Sequence, residues 1–145
     1  SFRTGNRAKI LNKKNTINKN FIILEGSHDG YINKFNTEHT RSLIINKTTF
    51  TVNDYISSYK NVDILIYFHF FEGLNFKKIS NKNYYLKRKN FHLNIIIDGD
   101  CLSKISNTLF YPTFGVSKIN KCLKVKSSVK GKKLIKTIFK FKLNA

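Results

Sequence analysis

Apolar and polar residues alternate with a period of two through much of this chain. The clearest case runs from Phe91 to Asp98, where Phe, Leu, Ile and Ile alternate with His, Asn, Ile and Asp. A period of two places alternate side chains on opposite faces of a strand, whereas helical periodicity is weak throughout. Short strands separated by Asn- or Gly-containing breaks predict an all-β fold, an antiparallel β-sandwich, with residues 1–145 forming a single domain.

The most apolar segment is Val62–Phe71. Apolar side chains occupy both of its faces, which predicts a central strand covered on both sides. His69 falls within it and is expected to be a core or near-core histidine. A hairpin is predicted where Leu43–Ile45 and Thr48–Val52 flank the two-residue connection Asn46-Lys47.

The remaining elements follow the same logic. Arg7–Leu11 is a predicted first strand, and the polar residues 12–20 after it are a predicted loop. Phe76–Ile79 and Tyr84–Lys87 form another predicted hairpin. Near the C-terminus lysines alternate with apolar residues, so we expect those lysines on a solvent-facing side of the sheet, where they also discourage edge-to-edge aggregation. The alternative is that they form a ligand-binding stripe.

The charge of the chain is strongly positive. The formal net charge is +19, and the segment from Cys101 to Ala145 contains eleven Lys and no acidic residue. Such a surface attracts polyanions, including nucleic acid, anionic lipid and acidic polysaccharide. Two interpretations stay open, because Lys, Asn, Ile, Phe and Tyr are abundant together, as coding bias in an AT-rich genome would also produce.

The composition bears on membrane insertion, on the extent of the chain and on cysteine chemistry. No apolar run reaches the roughly 20 residues of a membrane-spanning helix. The chain begins with Ser1 and contains no Met, so we expect it to be part of a longer protein. Cys101 and Cys122 match no metal or redox spacing; a single disulfide and two separate buried thiols both fit.

The histidines and their neighbours are the candidate functional residues. His28 lies beside Asp29 in a predicted turn over Ser27–Gly30, and His39 is two residues from Arg41, so the latter pair shares a face of a strand. A His, an Arg and an acid in one cleft could bind a carboxylated sugar. The alternative is that His28 and His39 only hydrogen-bond loops at the rim of the sandwich.

Recognisable catalytic and metal-binding motifs are missing from the sequence. It contains no HxH, HxxxH, HExxH or CxxC spacing, no nucleophile elbow and no phosphate-binding glycine loop. Its eight acids are scattered and suggest no glycosidase pair. No catalytic residue and no metal ligand is therefore assigned within the chain.

Several short strings, taken in order, resemble the heparinase II/III-like polysaccharide lyase family. They are SFRTGNRAKI at the start, GSHDGY at Gly26–Tyr31, EHTRSL at Glu38–Leu43, TVND at Thr51–Asp54 and FYPTFGV at Phe110–Val116. The resemblance spans nearly the whole chain and corresponds to the family's C-terminal β-sandwich portion.

The resemblance implies a specific parent protein. Family members join an N-terminal α-helical toroid to a C-terminal β-sandwich, and they cleave uronic-acid-containing polysaccharides by β-elimination. The family's catalytic strings precede the point that matches Ser1, so the resemblance implies that this segment alone is inactive. It implies a bacterial parent protein in the periplasm or outside the cell. It allows a divalent metal in the parent and implies no cofactor in this segment.

If the chain is such a C-terminal sandwich, His28, His39 and Arg41 are its candidate substrate-binding residues. Its expected binding partners are an acidic polysaccharide and the helical toroid domain of the parent. Nucleic acid is disfavoured, since the aromatics alternate into predicted core faces and the charge comes from Lys rather than Arg. The alternatives are a non-catalytic polyanion-binding module and a purely structural sandwich that supports another domain.

Overall fold

A computed structural model describes residues 7–88 and 90–143 of the chain; the first six residues of SFRTGNRAKI lie outside them. Within the described residues there is one helix, α1 (Ile32–Phe35), and no helix is long and apolar enough to cross a membrane. The strands are β1 (Ile10–Ile17), β2 (Phe21–His28), β3 (Thr37–Asn46), β4 (Thr49–His69), β5 (Lys77–Ser80), β6 (Asn83–Arg88), β7 (Phe91–Asp98), β8 (Leu102–Thr113) and β9 (Val116–Leu143).

The predicted all-β antiparallel sandwich is confirmed. Its two layers share the long strands β4 and β9. The larger layer has the strand order β1-β2-β3-β4-β9-β7-β6-β5 and uses the first part of β4 and the last part of β9. In the smaller layer the first part of β9 lies between the second part of β4 and β8. The pairing of β4 with β9 shifts register between Ser58 and Val62, opposite Gly131. Such an irregularity bends strands, which here lets one sheet supply both layers.

The core lies between the two layers and contains the predicted alternating positions. From the larger layer Leu93, Ile95 and Ile97 of β7 are buried. Leu123 and Val125 of β9 are fully buried from the smaller layer. Val52 and Ile66 belong to this same core cluster although both are on β4. The clustering of two residues from one strand follows from the bend of β4.

The first strand differs from its prediction. β1 spans Ile10–Ile17, so most of the segment predicted as a polar loop is strand and most of the predicted strand Arg7–Leu11 precedes it. Every residue of β1 is exposed. An edge strand paired only with β2 is held by its backbone hydrogen bonds and needs no apolar face, so the absence of alternation misled the prediction.

The prediction that Val62–Phe71 is covered on both faces is wrong. Ile64, Ile66 and Phe68 point into the sandwich, but Leu65, Tyr67 and Phe71 are 54%, 46% and 69% exposed. This half of β4 pairs only with β9, because β3 pairs with the half before the bend. Apolar composition on both faces therefore did not signal a central strand here.

The two cysteines are separate. Cys101 and Cys122 are buried free thiols, which resolves the two alternatives in favour of no disulfide. Burial raises the pKa of both thiols, so they are suited to packing rather than to reaction.

Candidate substrate groove

The candidate residues His28, His39 and Arg41 lie on the inner face of the larger layer. His28 is directly opposite His39 in the β2–β3 pair, and their ring centroids are 6.2 Å apart. His39 and Arg41 share this face, as their spacing predicts. The structure therefore brings all three residues into one cluster.

The turn after β2 fixes the orientation of His28. The backbone N–H of Gly30 donates to Nδ1 of His28 at 3.1 Å. Since Nδ1 accepts that hydrogen bond, the proton of the neutral ring is on Nε2. The ring of Tyr31 lies 5.1 Å from that of His28, between centroids.

Asp29, the acid next to His28 in the sequence, is not the acid of this cluster. Its Oδ1 accepts a hydrogen bond from the backbone N–H of Lys9 at 2.7 Å, and its own N–H donates to the Lys9 carbonyl at 3.1 Å. Asp29 thus ties the turn to the chain that leads into β1.

The acid of the cluster is Asp54 on β4. Its carboxylate has no exposed surface, and Oδ1 lies 2.7 Å from Nε2 of His39 and 2.7 Å from Nε of Arg41. Nη2 of Arg41 donates to the other oxygen at 3.2 Å. This forked contact is the geometry in which a guanidinium binds a carboxylate most strongly.

The charge state of Asp54 follows from these contacts. Burial raises the pKa of its carboxyl, but the hydrogen bonds and positive charges of His39 and Arg41 outweigh burial, and the pKa lies below the ordinary value of 3.8. Asp54 is therefore ionised at neutral pH, and it holds His39 and Arg41 in place.

A groove of about 480 Å³ opens over this cluster. His28, His39 and Arg41 line it from the larger layer, and Val62, Ile64 and Ile66 line it from the smaller layer. The guanidinium carbon of Arg41 lies 5.7 Å from the ring centroid of Phe68 on the smaller layer. The groove is thus the open end of the space between the two layers.

The donors in the groove suit an anion. Arg41 uses Nε and Nη2 on Asp54, which leaves Nη1 for a ligand. Nε2–H of His28 is a second donor. His39 contacts Asp54 through Nε2, so Nδ1 is its ring nitrogen left for a ligand. Nη1 of Arg41 and the Nε2–H of His28 could together bind one carboxylate or sulfate.

The groove does not fit a divalent cation. The described residues contain no group of three or more His, Cys, Asp or Glu that could hold a metal ion. Nδ1 of His28 accepts a backbone N–H, and both oxygens of Asp54 are held by His39 and Arg41. Within the described residues the groove thus offers hydrogen-bond donors for an anion and no unengaged carboxylate for a cation.

The other two histidines lie elsewhere. His69 is exposed, with its ring 6.4 Å from that of Tyr67, so the expectation of a core position is wrong. The reason is the exposed outer face of this part of β4. His92 is half-buried on the outer face of β7, where its Nδ1 is hydrogen-bonded to the hydroxyl of Tyr85.

Sequence reasoning missed Asp54 as a site residue because the predicted hairpin connection implied a different strand register. The predicted β3–β4 hairpin exists, but its pairing starts at Ile45 and Phe50. Oδ1 of Asn46 accepts the N–H groups of Thr48 and Thr49 within the connection. This register pairs Arg41 with Asp54, whereas a two-residue connection at Asn46-Lys47 would have paired Arg41 with Val52.

Comparison with known proteins identifies the family. The description "Heparinase II/III-like, C-terminal" is that of a family whose sequence profile matches residues 1–137. The chain belongs to the heparinase II/III-like family. It corresponds to the C-terminal part of that family, as the resemblance predicted. No curated protein sequence matches the chain significantly.

Solved structures share the fold of this heparinase II/III-like chain. A heparinase III structure aligns with a TM-score of 0.76 at 12% identity, over 95% of this chain and 22% of that one. The heparan sulfate lyase HepC of Pedobacter heparinus aligns with a TM-score of 0.72 at 16% identity, over 96% and 22%. The Slr1438 protein of Synechocystis sp. PCC 6803 gives 0.59 at 12%, over 94% and 66%.

The alignments also show how much of each solved protein this chain matches. The chain spans about a fifth of the length of the heparinase III and HepC chains. At these identities the likeness establishes the fold, and the family membership rests on the sequence profile.

Proposed function

We propose that this chain is the C-terminal sandwich of a polysaccharide lyase that cleaves uronic-acid-containing polymers by β-elimination. Its groove binds an anionic group of the polymer. The observation that supports this proposal most directly is the cluster of His28, His39 and Arg41, ordered by the buried carboxylate of Asp54. The family membership and the net charge of +19 agree with an acidic polymer as substrate.

In β-elimination, we assign His28 and Arg41 a role in binding the anionic group and no role in proton transfer. β-Elimination next to a uronate carboxylate requires neutralisation of that carboxylate, a base for the C5 proton and an acid for the leaving oxygen. Arg41 and the Nε2–H of His28 can hold an anionic group through preorganised donors. We assign the base and the acid to residues outside this chain, in the helical toroid or upstream strands of the whole protein.

The remaining parts of the proposal follow from that parent protein. Its partners are the acidic polysaccharide and the toroid domain, and this segment needs no cofactor for binding. A bacterial protein that degrades such polymers works in the periplasm or outside the cell, where the polymers are.

The experiment incubates the whole protein with heparan sulfate, heparin, chondroitin sulfate and alginate and follows the ultraviolet absorbance of the unsaturated uronate product. We expect product from at least one polymer. No product from any of the four would reject the lyase proposal. Retention on heparin without product would instead favour the alternative, a non-catalytic polyanion-binding module, which the positive charge also fits.

A pair of histidine variants tests the groove itself. His28→Ala removes the imidazole donor, and His69→Ala makes the same change on the exposed outer face of the smaller layer. We expect His28→Ala to raise KM roughly tenfold to hundredfold, the loss of about one hydrogen bond to a charged group, while His69→Ala leaves KM within twofold. Equal KM values for the two variants would remove the groove from substrate binding.

A further inference from the structure

The outer face of the larger layer carries cationic side chains in register across strands that are distant in sequence. Lys87, His92 and Lys142 form one cross-strand row over β6, β7 and β9. The next row on the same face contains Lys77, Tyr85, Asn94 and Lys140. We call Lys77, Lys87, His92, Lys140 and Lys142 the lysine face.

The charges of the lysine face are not neutralised within the described residues. All four lysines are exposed, and the ion pairs of the described chain involve other cations, at His39, Arg41, Lys118, Lys126 and Lys133. The acid nearest along β7 is Asp98, four residues beyond Asn94, which corresponds to about 13 Å of strand. Four positive charges thus share two neighbouring rows without a carboxylate between them.

The centre of this face is ordered by a side-chain pair. The hydroxyl of Tyr85 is hydrogen-bonded to Nδ1 of His92, and both side chains are half-buried. When the hydroxyl donates, the neutral ring of His92 carries its proton on Nε2, which makes that atom a donor for an anion. The lysine face therefore combines mobile ammonium groups with one fixed donor.

Spacing on the face suits a linear polyanion. Neighbouring strands are about 4.8 Å apart, so Lys87 and Lys142 lie roughly 10 Å apart at the backbone, and Lys140 and Lys142 roughly 7 Å apart along β9. The long lysine side chains can adjust these distances. Asn94 and Thr49 lie in the row of Lys140 and offer amide and hydroxyl groups to sugar hydroxyls.

We propose that the lysine face is a second binding surface for acidic polysaccharide, on the side of the larger layer opposite the groove. It binds the polymer away from the groove and does no chemistry. The inference rests on the proposed function, since it takes the same class of polymer as ligand. Single-stranded nucleic acid fits less well, because such surfaces present aromatic rings on which bases stack, and Tyr85 is half-buried with its hydroxyl engaged by His92.

The test compares matched charge-neutralising variants of the whole protein. One is Lys87→Gln/Lys142→Gln on the lysine face, and the control is Lys104→Gln/Lys130→Gln, two exposed lysines outside it. Both variants lose two positive charges. Affinity for a long heparin chain is measured by titration at two salt concentrations, together with affinity for single-stranded DNA of equal charge.

We expect the lysine-face variant to lose about fivefold in heparin affinity, since two exposed charge pairs each contribute modestly to binding, and the control to lose less than twofold. Equal losses in the two variants would overturn the proposal in favour of general electrostatic attraction. Equal affinity of the unmodified protein for DNA, with an equal loss in the variant, would overturn the assignment of polysaccharide as ligand.

A further readout separates this inference from the proposed function. Cleavage of a short oligosaccharide, which is too short to occupy both surfaces, should be unchanged in Lys87→Gln/Lys142→Gln. If the unmodified protein cleaves no polymer, the lyase proposal fails, while the heparin titration still decides whether the lysine face binds. If short-substrate cleavage falls in the lysine-face variant, the separation of the two surfaces is wrong.

Discussion

Arg41 and Asp54 face each other across the β3–β4 pair, with Nε of Arg41 2.7 Å from a carboxylate oxygen that is fully excluded from solvent. The Arg41 side chain is 38% exposed, whereas the Asp54 side chain is fully buried, so water can hydrate Arg41 but cannot reach the carboxylate. Removing Arg41 leaves this buried carboxylate with His39 as its remaining side-chain partner among the described residues. The loss of folding free energy should therefore exceed that for removing an exposed cation.

We therefore predict that Arg41→Ala lowers the free energy of unfolding by about 3 kcal/mol, the usual cost of breaking a buried ion pair. The control Arg88→Ala, at an exposed position at the end of β6, should cost less than about 0.5 kcal/mol. Urea unfolding monitored by circular dichroism gives both values. Equal values would mean that Asp54 is not held by Arg41 in solution.

The same carboxylate should make stability depend on pH in the acid range. Because His39 and Arg41 hold the pKa of Asp54 below its ordinary value of 3.8, ionised Asp54 stabilises the folded state at every pH above that value. This contribution is lost as the pH falls through the folded-state pKa. The difference in unfolding free energy between the unmodified chain and Asp54→Asn should therefore shrink as the pH falls below 3.8. A difference that stays constant to about pH 2.5 would contradict the role of Asp54.

Two leucines on opposite faces of the smaller layer test which face is the core. Leu123 is fully buried and Leu65 is 54% exposed. We expect Leu123→Ala to cost about 3 kcal/mol, as large-to-small changes in a core do, and Leu65→Ala to cost under about 1 kcal/mol. Thermal and urea unfolding measure both. A large cost for Leu65→Ala would show that another part of the protein covers the outer face.

Gly99, which follows β7, should not accept a side chain. Its φ is +115°, and a Cβ there would lie 2.8 Å from the carbonyl oxygen of Leu134 on β9. We expect Gly99→Ala to cost roughly 2–4 kcal/mol from strain and backbone displacement. Gly73→Ala is the matched control, because φ is +74° there but nothing lies within 4 Å of the added Cβ. It should cost roughly 1 kcal/mol, and similar losses in urea unfolding for the two variants would contradict the close approach.

Much of the fold could be predicted because its information is local. Alternation along Phe91–Asp98 identified β7 and its core face, where Ile95 is fully buried. The hairpin of β5 and β6 was predicted from the polar residues between two apolar segments. Edge strands were the failures: β1 has no apolar face, and the second half of β4 has apolar residues on a face that stays exposed. Neither exposure nor edge position is encoded by the residues of the strand alone.

The sequence by itself determined that the chain is β, that His39 and Arg41 share a face, and that the strings around them belong to the heparinase II/III-like family. These follow from a period of two and from neighbours along the chain. Only the tertiary structure decided that Asp54 pairs with Arg41, that His28 joins them, and that Lys87 and Lys142 lie in one row. Those relationships depend on strand register and on the bend of β4, which are set by pairing between segments distant in sequence.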